Sequence, residues 1–308
     1  MSTCATASRD LDEPLAGTAA TARTWLLLEQ PGPWGAKALT SSHLDPTVGR
    51  ALEAAAEGTG VRVALIRRPG RHADRHAPTS RHVYVAHTVP GNAWLREATT
   101  DDPARLLGLD FAALGAGDHG SVGRVLGARP HTGSPLALVC TNGKRDRCCA
   151  LLGRPLASEL VDSGEEGVWE VTHLGGHRFS PTLLVLPHGY AYGRAEAPHV
   201  KGVLDAIRDG RVVTEGCRGS SAWERPGQAA ELAVRTSTGE RAAGVLGVLE
   251  TDGTAPRWEV TVAHADGRRW RVTVAQGASL PPRPESCGAA LGSPARMDVV
   301  AVRQLTPV

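Results

Sequence analysis

The chain has 308 residues, of which 41% are hydrophobic and 21% are charged, and its formal net charge is +2. This length allows two ordinary domains, and the composition is that of a soluble globular protein. The small net charge gives no reason to expect nucleic acid as a partner. No apolar run approaches the roughly 20 residues of a membrane helix, so no membrane association is expected. Residues 1–22 lack the apolar segment of a signal peptide and are expected to form a disordered leader.

The first half of the chain, residues 23–130, is predicted to be an α/β domain. Asp45 is a good N-cap and Pro46 suits the first position of the helix that follows it. The predicted elements, in chain order, are a strand over 23–29, a turn over 30–35, a helix from 44, strands over 61–66, 82–87 and 93–98, and a helix from 102 towards 114.

The second half, residues 131–236, repeats this order and is predicted to be a second copy of the same α/β unit. Its elements are strands over 135–139 and 168–172, a helix over 147–161, a hairpin of 182–186 with 190–192, and a helix over 198–208. From Ala222 a helix leads into a β-rich extension over residues 237–308. The expected strands there are 244–250, 257–263 and 268–274, with a hairpin turn at Asp266-Gly267.

Three thiols follow the first strand of the second half. Cys140 comes at the end of this buried strand, and Cys148 and Cys149 open the next helix, where the helix dipole favours a thiolate. The remaining cysteines, Cys4, Cys217 and Cys287, are scattered, so the chain has no disulfide framework. In a cytosolic chain such a cluster indicates a metal or catalysis. The alternative is that all three thiols are packed in the core.

Two histidines follow the next strand, and their setting predicts a loop. His173 and His177 are four residues apart, but Gly175-Gly176 between them would weaken a helix and allow a tight loop. The same spacing recurs at His72 and His76, in a basic loop without cysteines that we interpret as solvated. The neighbouring cysteines therefore distinguish His173 and His177 as candidate ligands, because thiolate and imidazole both suit zinc and iron.

Other chemistries fit the residues less well. A phosphatase loop needs arginine six positions after its cysteine, where this chain has Asp146. A C-x-x-C pair, typical of thiol oxidoreductases, is absent. Glycoside hydrolysis requires two opposed carboxyl groups, and Glu165, Glu166 and Glu170 are interpreted as solvated acidic residues.

Several segments resemble the sucrase/ferredoxin-like family across residues 23–236. They are Cys140-Thr-Asn-Gly-Lys-Arg-Asp-Arg-Cys-Cys149, Val168-Trp-Glu-Val-Thr-His-Leu-Gly-Gly-His-Arg-Phe179, Leu186-Pro-His-Gly-Tyr-Ala-Tyr-Gly-Arg194 and Glu29-Gln-Pro-Gly-Pro-Trp-Gly35. The resemblance implies two thioredoxin-like α/β domains in tandem, followed by the β-rich extension. It also implies a 2Fe–2S ferredoxin site in the second domain. Residues 23–133 contain no cysteine, so the first domain is expected to hold no such cluster.

Carried over to this chain, the resemblance makes Cys140 and Cys149 the thiolate ligands and His173 and His177 the imidazole ligands, with Cys148 as an alternative. The expected function is electron transfer in the cytoplasm rather than catalysis, and no residue supports sucrase activity. Protein redox partners are expected to dock at the basic residues Lys144, Arg145, Arg147 and Arg178. A structural zinc site on the same four ligands, in a protein that acts as a binding module, is the competing interpretation.

Overall fold

The computed structural model describes residues 3–70 and 80–306, which form a mixed α/β structure with two sheets. The segment that contains His72 and His76 lies outside the described residues. The strands are β1 (Thr24–Glu29), β2 (Val61–Arg67), β3 (Arg81–His87), β4 (Trp94–Thr100), β5 (Arg129–Pro130), β6 (Leu136–Cys140), β7 (Val168–Val171), β8 (Leu183–Leu186), β9 (Tyr190–Tyr192), β10 (Cys217–Ser220), β11 (Leu246–Thr254), β12 (Arg257–His264), β13 (Arg269–Ala278) and β14 (Ala295–Leu305).

The helices are α1 (Cys4–Asp10), α2 (Pro46–Ala56), α3 (Phe111–Ala116), α4 (Gly120–Leu126), α5 (Arg147–Asp162), α6 (Ala197–Arg208) and α7 (Arg225–Thr238), with short 3-10 helices over Pro103–Gly108 and His177–Phe179. Helix α2 begins as expected, since Asp45 accepts a hydrogen bond of 2.7 Å from the backbone N–H of Thr47. The single helix expected from residue 102 is divided into the first 3-10 helix and α3. Within the described residues, no helix combines the length and apolar character needed to cross a membrane.

The two halves of the chain contribute equivalent parts to one ten-stranded sheet. Its order is β10-β9-β8-β6-β7-β2-β1-β3-β4-β5, so the arrangement β2-β1-β3-β4-β5 recurs as β7-β6-β8-β9-β10. In each half the first two strands are parallel and the third lies antiparallel to the first. The halves meet where β2 and β7 run antiparallel, with Ile66 opposite Val171. The repeated α/β order is confirmed, and the repeats share a continuous sheet.

The C-terminal part forms a separate four-stranded antiparallel sheet in the order β11-β12-β13-β14. Helix α7 covers one face of this sheet, where Ala230 and Val234 pack with Val260 and Val272 in a common core. Three of its strands and the turn at Gly267, which has a φ of +97°, are as expected. The sequence prediction missed β14, which pairs with β13 after an irregular segment of 16 residues between Ala278 and Ala295.

Residues 1–22 were expected to form a disordered leader. This prediction is wrong for the described residues of the segment, which are ordered. Residues Cys4–Asp10 form α1, and Cys4 and Ser8 are buried. Glu13 is also buried and accepts hydrogen bonds from Arg178 at 2.8 Å and from Arg283 at 3.0 Å. The local composition of the leader does not reveal these contacts, because both partners of Glu13 lie more than a hundred residues away in sequence.

Candidate metal centre

Cys140 and Cys149 are brought together by a strand and the helix that follows it. Cys140 ends β6, and Cys149 lies in the first turn of α5, for which Asp146 is the N-cap. Helix α5 approaches the strand closely at Gly153, where a Cβ atom would collide with the carbonyl oxygen of Cys140. The two thiols belong to one buried core cluster and lie close enough to shift each other's pKa.

His173 and His177 lie on a tight loop after β7, as predicted. Gly175 and Gly176 between them have φ values of +70° and +68°, a conformation that favours glycine. The two imidazole rings are 5.0 Å apart between centroids. Behind the loop, the fully buried Arg218 donates a hydrogen bond of 3.2 Å to the carbonyl oxygen of Gly175 and so fixes the loop.

The thiols and imidazoles meet at one point of direct contact. Sγ of Cys149 lies 3.3 Å from Nδ1 of His177 and 3.6 Å from the hydroxyl of Ser180. Nδ1 of His173 is buried and has no hydrogen-bond partner among the described residues. Because a buried polar nitrogen is normally satisfied, this atom needs an explanation, and a missing metal ligand bond would supply one.

The electrostatic environment acts differently on the candidate ligands. A hydrogen bond from the Cys149 thiol, together with backbone N–H groups of Leu174 and Asn142, lowers the pKa of Cys140 to about 7 despite its burial. The pKa of Cys149 is raised by the same contact with Cys140. Burial lowers the pKa of His173 to about 3, with the charge of Arg62 acting in the same direction. Its imidazole is therefore neutral at neutral pH and carries a free lone pair.

Cys148 does not join these four residues, although it precedes Cys149. Its sulfur lies 3.2 Å from Sγ of Cys287 and 3.5 Å from Sγ of Cys4. Sequence reasoning treated Cys4 and Cys287 as scattered cysteines and missed this second cluster. The only available signal was the helical position of Cys148, about 100° around α5 from Cys149.

Two groups of described side chains place their ligand atoms within 4.8 Å of one another and could hold a metal ion. One group is Asp146, Cys149 and His177, and the other is Cys4, Asp146, Cys148 and Cys287. Asp146 had not been identified as a candidate ligand. It belongs to both groups because it caps α5 between the two neighbouring thiols.

The predicted docking residues have different exposures. Lys144, Arg145 and Arg147 are exposed around the candidate centre. Arg178 is only 7% exposed, and its side chain is paired with Glu13 and Glu285. Arg178 therefore does not offer a free positive charge to a partner, and its assignment as a docking residue must be corrected.

Glu170 is a further residue whose role the sequence did not reveal. It was interpreted as solvated, but it is 4% exposed on β7. It accepts hydrogen bonds from Arg67 at 2.8 Å and from the Thr141 hydroxyl at 2.7 Å. This buried ion pair joins the two halves of the sheet directly beneath the loop that follows Cys140.

The fold and the site thus define a mixed α/β protein whose cysteine, aspartate and histidine side chains could bind a metal. The profile of the sucrase/ferredoxin-like family matches residues 15–219, well over half of the 308 residues. The chain therefore belongs to the sucrase/ferredoxin-like family, as its sequence segments predicted. No curated protein and no solved structure matches the chain.

Proposed function

We propose that this protein transfers electrons through a 2Fe–2S cluster held by Cys140, Cys149, His173 and His177. The observation that carries the proposal is the convergence of two buried thiols and two neutral imidazoles from separate segments. The direct contact between Cys149 and His177, 3.3 Å between Sγ and Nδ1, links the two pairs. The unpartnered Nδ1 of His173 supports it further.

The donor set suits such a cluster and predicts its potential. When bound by two thiolates and two neutral imidazoles, an oxidised 2Fe–2S core has no net charge and accepts an electron more readily than one held by four thiolates. Exchange of two thiolates for imidazoles moves potentials from about −400 mV to roughly −150 to +300 mV. The reduction potential of this protein is therefore expected between roughly −150 and +300 mV, above that of a cluster held by four thiolates. The buried Arg218 and the exposed Arg145 favour reduction in the same way, since both lower the pKa of the histidines.

Structural zinc is the competing occupant of the same residues, and the spacing of the ligands favours iron–sulfur. A tetrahedral zinc ion with bonds of about 2.0–2.3 Å needs all four ligand atoms within about 4 Å of one another. The close group around Cys149 and His177 includes neither Cys140 nor His173. A wider set of ligands suits two metal ions better than one.

The proposed role is that of an electron carrier in the cytoplasm, with each half of the ten-stranded sheet being a thioredoxin-like unit. Lys144, Arg145 and Arg147 are exposed beside the centre and would attract an acidic reductase or acceptor. Sucrase activity has no support, because the buried carboxylates of Glu170 and Glu13 are paired with arginines, Glu170 with Arg67 and Glu13 with Arg178 and Arg283.

The proposal is tested by anaerobic purification of the full chain, followed by iron and sulfide analysis and a visible spectrum. Two irons and two sulfides per chain are expected, with a brown colour that dithionite bleaches. A Cys217→Ala variant is the matched control, since Cys217 is a buried thiol outside both clusters. A colourless wild-type protein with zinc bound at Cys140 and Cys149 would overturn the proposal.

A further inference from the structure

Three cysteines from three distant segments meet in a second cluster, separate from the proposed electron-transfer centre. Cys4 begins α1, Cys148 lies in the first turn of α5, and Cys287 belongs to the irregular segment between β13 and β14. Their sulfur atoms are 3.2 Å apart for Cys148 and Cys287, 3.5 Å for Cys4 and Cys148, and 3.6 Å for Cys4 and Cys287. Each thiol therefore contacts both of the others.

This arrangement is that of metal ligands rather than of a disulfide with a spare thiol. A disulfide would bring one pair of sulfur atoms to about 2.05 Å and leave the third cysteine apart. Three thiolates around one zinc ion, at about 2.3 Å each, lie about 3.8 Å from one another. The observed triangle is nearly equilateral and close to this size. Cys4 and Cys148 are both 1% exposed and Cys287 is half-buried, so two of the three thiols are shielded from solvent.

Asp146 supplies a fourth ligand from the same side. Its carboxylate oxygens lie 3.8 and 3.9 Å from Sγ of Cys4. One oxygen accepts the backbone N–H of Cys148 at 2.8 Å, and the other accepts that of Cys287 at 2.7 Å. These bonds fix the carboxylate without using all of its lone pairs, as is usual for carboxylates that bind metals.

We propose that Cys4, Cys148, Cys287 and Asp146 bind one structural zinc ion. Thiolate-rich tetrahedral sites suit zinc, and the N-terminal end of the 16-residue helix α5 offsets part of the negative charge. The ion fastens both the N-terminal segment and the C-terminal extension to the helix that carries Cys149. It is a different site from the four residues of the proposed cluster, and it stands or falls independently of them.

The experiment measures zinc in the full-length protein after gel filtration in the presence of a mild chelator. Wild type and the Cys217→Ala and Cys140→Ala variants are expected to retain one zinc per chain. Cys148→Ala and Cys287→Ala are each expected to weaken zinc binding by more than about 100-fold, since loss of even an outer-shell partner costs 10–100-fold. Cobalt(II) added to the zinc-free wild type should give cobalt–thiolate absorption bands that both variants lack.

A second measurement on the wild type alone keeps the test valid if the variants fold poorly. Mass spectrometry after alkylation should show Cys4, Cys148 and Cys287 protected by zinc and modified once a strong chelator removes it. Retention of zinc by Cys148→Ala and Cys287→Ala would overturn the proposal. So would a metal-free wild type in which two of these cysteines form a disulfide, or alkylation of all three that zinc does not slow.

Discussion

Cys148 and Cys149 are consecutive in the chain, yet their thiols belong to different clusters on different faces of the start of α5. Sγ of Cys149 contacts Nδ1 of His177 at 3.3 Å, whereas Sγ of Cys148 contacts Sγ of Cys287 at 3.2 Å. The helix separates the two side chains by about 100°. This division allows a redox centre and a structural ion to share one turn of helix without sharing a ligand.

The two clusters predict that the same substitution at neighbouring positions removes different bound groups. Cys149→Ala should abolish the visible chromophore, because it removes one of two thiolate ligands. Cys148→Ala should retain the chromophore while it loses zinc. Metal analysis and visible spectra of the two purified variants check this, with Cys217→Ala as the control. Loss of the chromophore in Cys148→Ala alone would reverse the assignment of the ligands.

Arg145 is expected to tune the potential of the centre. Its positive charge lowers the pKa values of both His173 and His177. The same charge should stabilise the reduced cluster, which carries one more negative charge than the oxidised cluster, and so favour electron uptake. Because Arg145 is exposed, its interaction is worth only about 0.2–1 kcal/mol, which corresponds to about 10–40 mV. Arg145→Gln should lower the potential by this amount in a spectroscopic redox titration.

The matched control for this prediction is Lys144→Gln, which removes the same charge from the preceding exposed position. Arg145, unlike Lys144, is among the main charges that lower the pKa of both histidines, so replacement of Lys144 should shift the potential less. Equal shifts for the two variants would mean that only the net charge matters.

Glu13 should make the attachment of the N-terminal segment sensitive to acid. Burial disfavours its charged form, but the charge of Arg178 and the hydrogen bonds from Arg178 and Arg283 lower its pKa below the ordinary value of a glutamate. A carboxyl with a lowered pKa contributes stability that is complete above its ordinary pKa and is lost as the pH falls through its folded value. Wild type should therefore lose thermal stability below about pH 4.5.

The control compares Glu13→Gln with Asp12→Asn. Asp12 is the adjacent acidic residue, and its side chain is 99% exposed. The acid-dependent loss of melting temperature should be smaller in Glu13→Gln and unchanged in Asp12→Asn. If Glu13→Gln followed the wild-type pH profile, the buried contact with Arg178 would not contribute to stability.

Glu170 should stabilise the protein through its ion pair with Arg67, which joins the two halves of the sheet. Glu170→Gln removes the negative charge that faces the guanidinium of Arg67, and both side chains are at most 5% exposed. Disruption of a buried ion pair costs about 3–5 kcal/mol. Denaturant unfolding should report a loss in this range. Glu166→Gln, the same change at an exposed position of the preceding loop, should alter the free energy of unfolding by less than about 0.5 kcal/mol.

Local patterns in the sequence predicted most of the ten-stranded sheet, whereas the four ligands of the proposed cluster came from the resemblance to the family. The alternating and apolar runs of β1 to β4 and β6 to β9 are strong signals, and Asp45 and Pro46 mark the start of α2. The loop between His173 and His177 was also predictable, because consecutive glycines favour a left-handed backbone. Each of these signals lies within a few residues of the element that it predicts.

Several features that escaped prediction depend on contacts between distant segments. Strand β14 needs β13 as a partner. The negative charge of Glu170 is compensated in the core only because β2 places Arg67 beside it. The cluster of Cys4, Cys148 and Cys287 joins residues up to 283 positions apart. No local propensity encodes such a contact, so Cys4 and Cys287 were indistinguishable from isolated cysteines.

Pulsed EPR of the dithionite-reduced protein, with and without nitrogen-15 histidine, tests the central claim most directly. A 2Fe–2S cluster bound by His173 and His177 predicts a reduced-cluster signal with strong couplings to two imidazole nitrogens. The couplings should change with the isotope, and one should disappear in His177→Cys. A reduced-cluster signal without nitrogen coupling would contradict the histidine ligands, and an EPR-silent, zinc-containing protein would contradict the cluster itself.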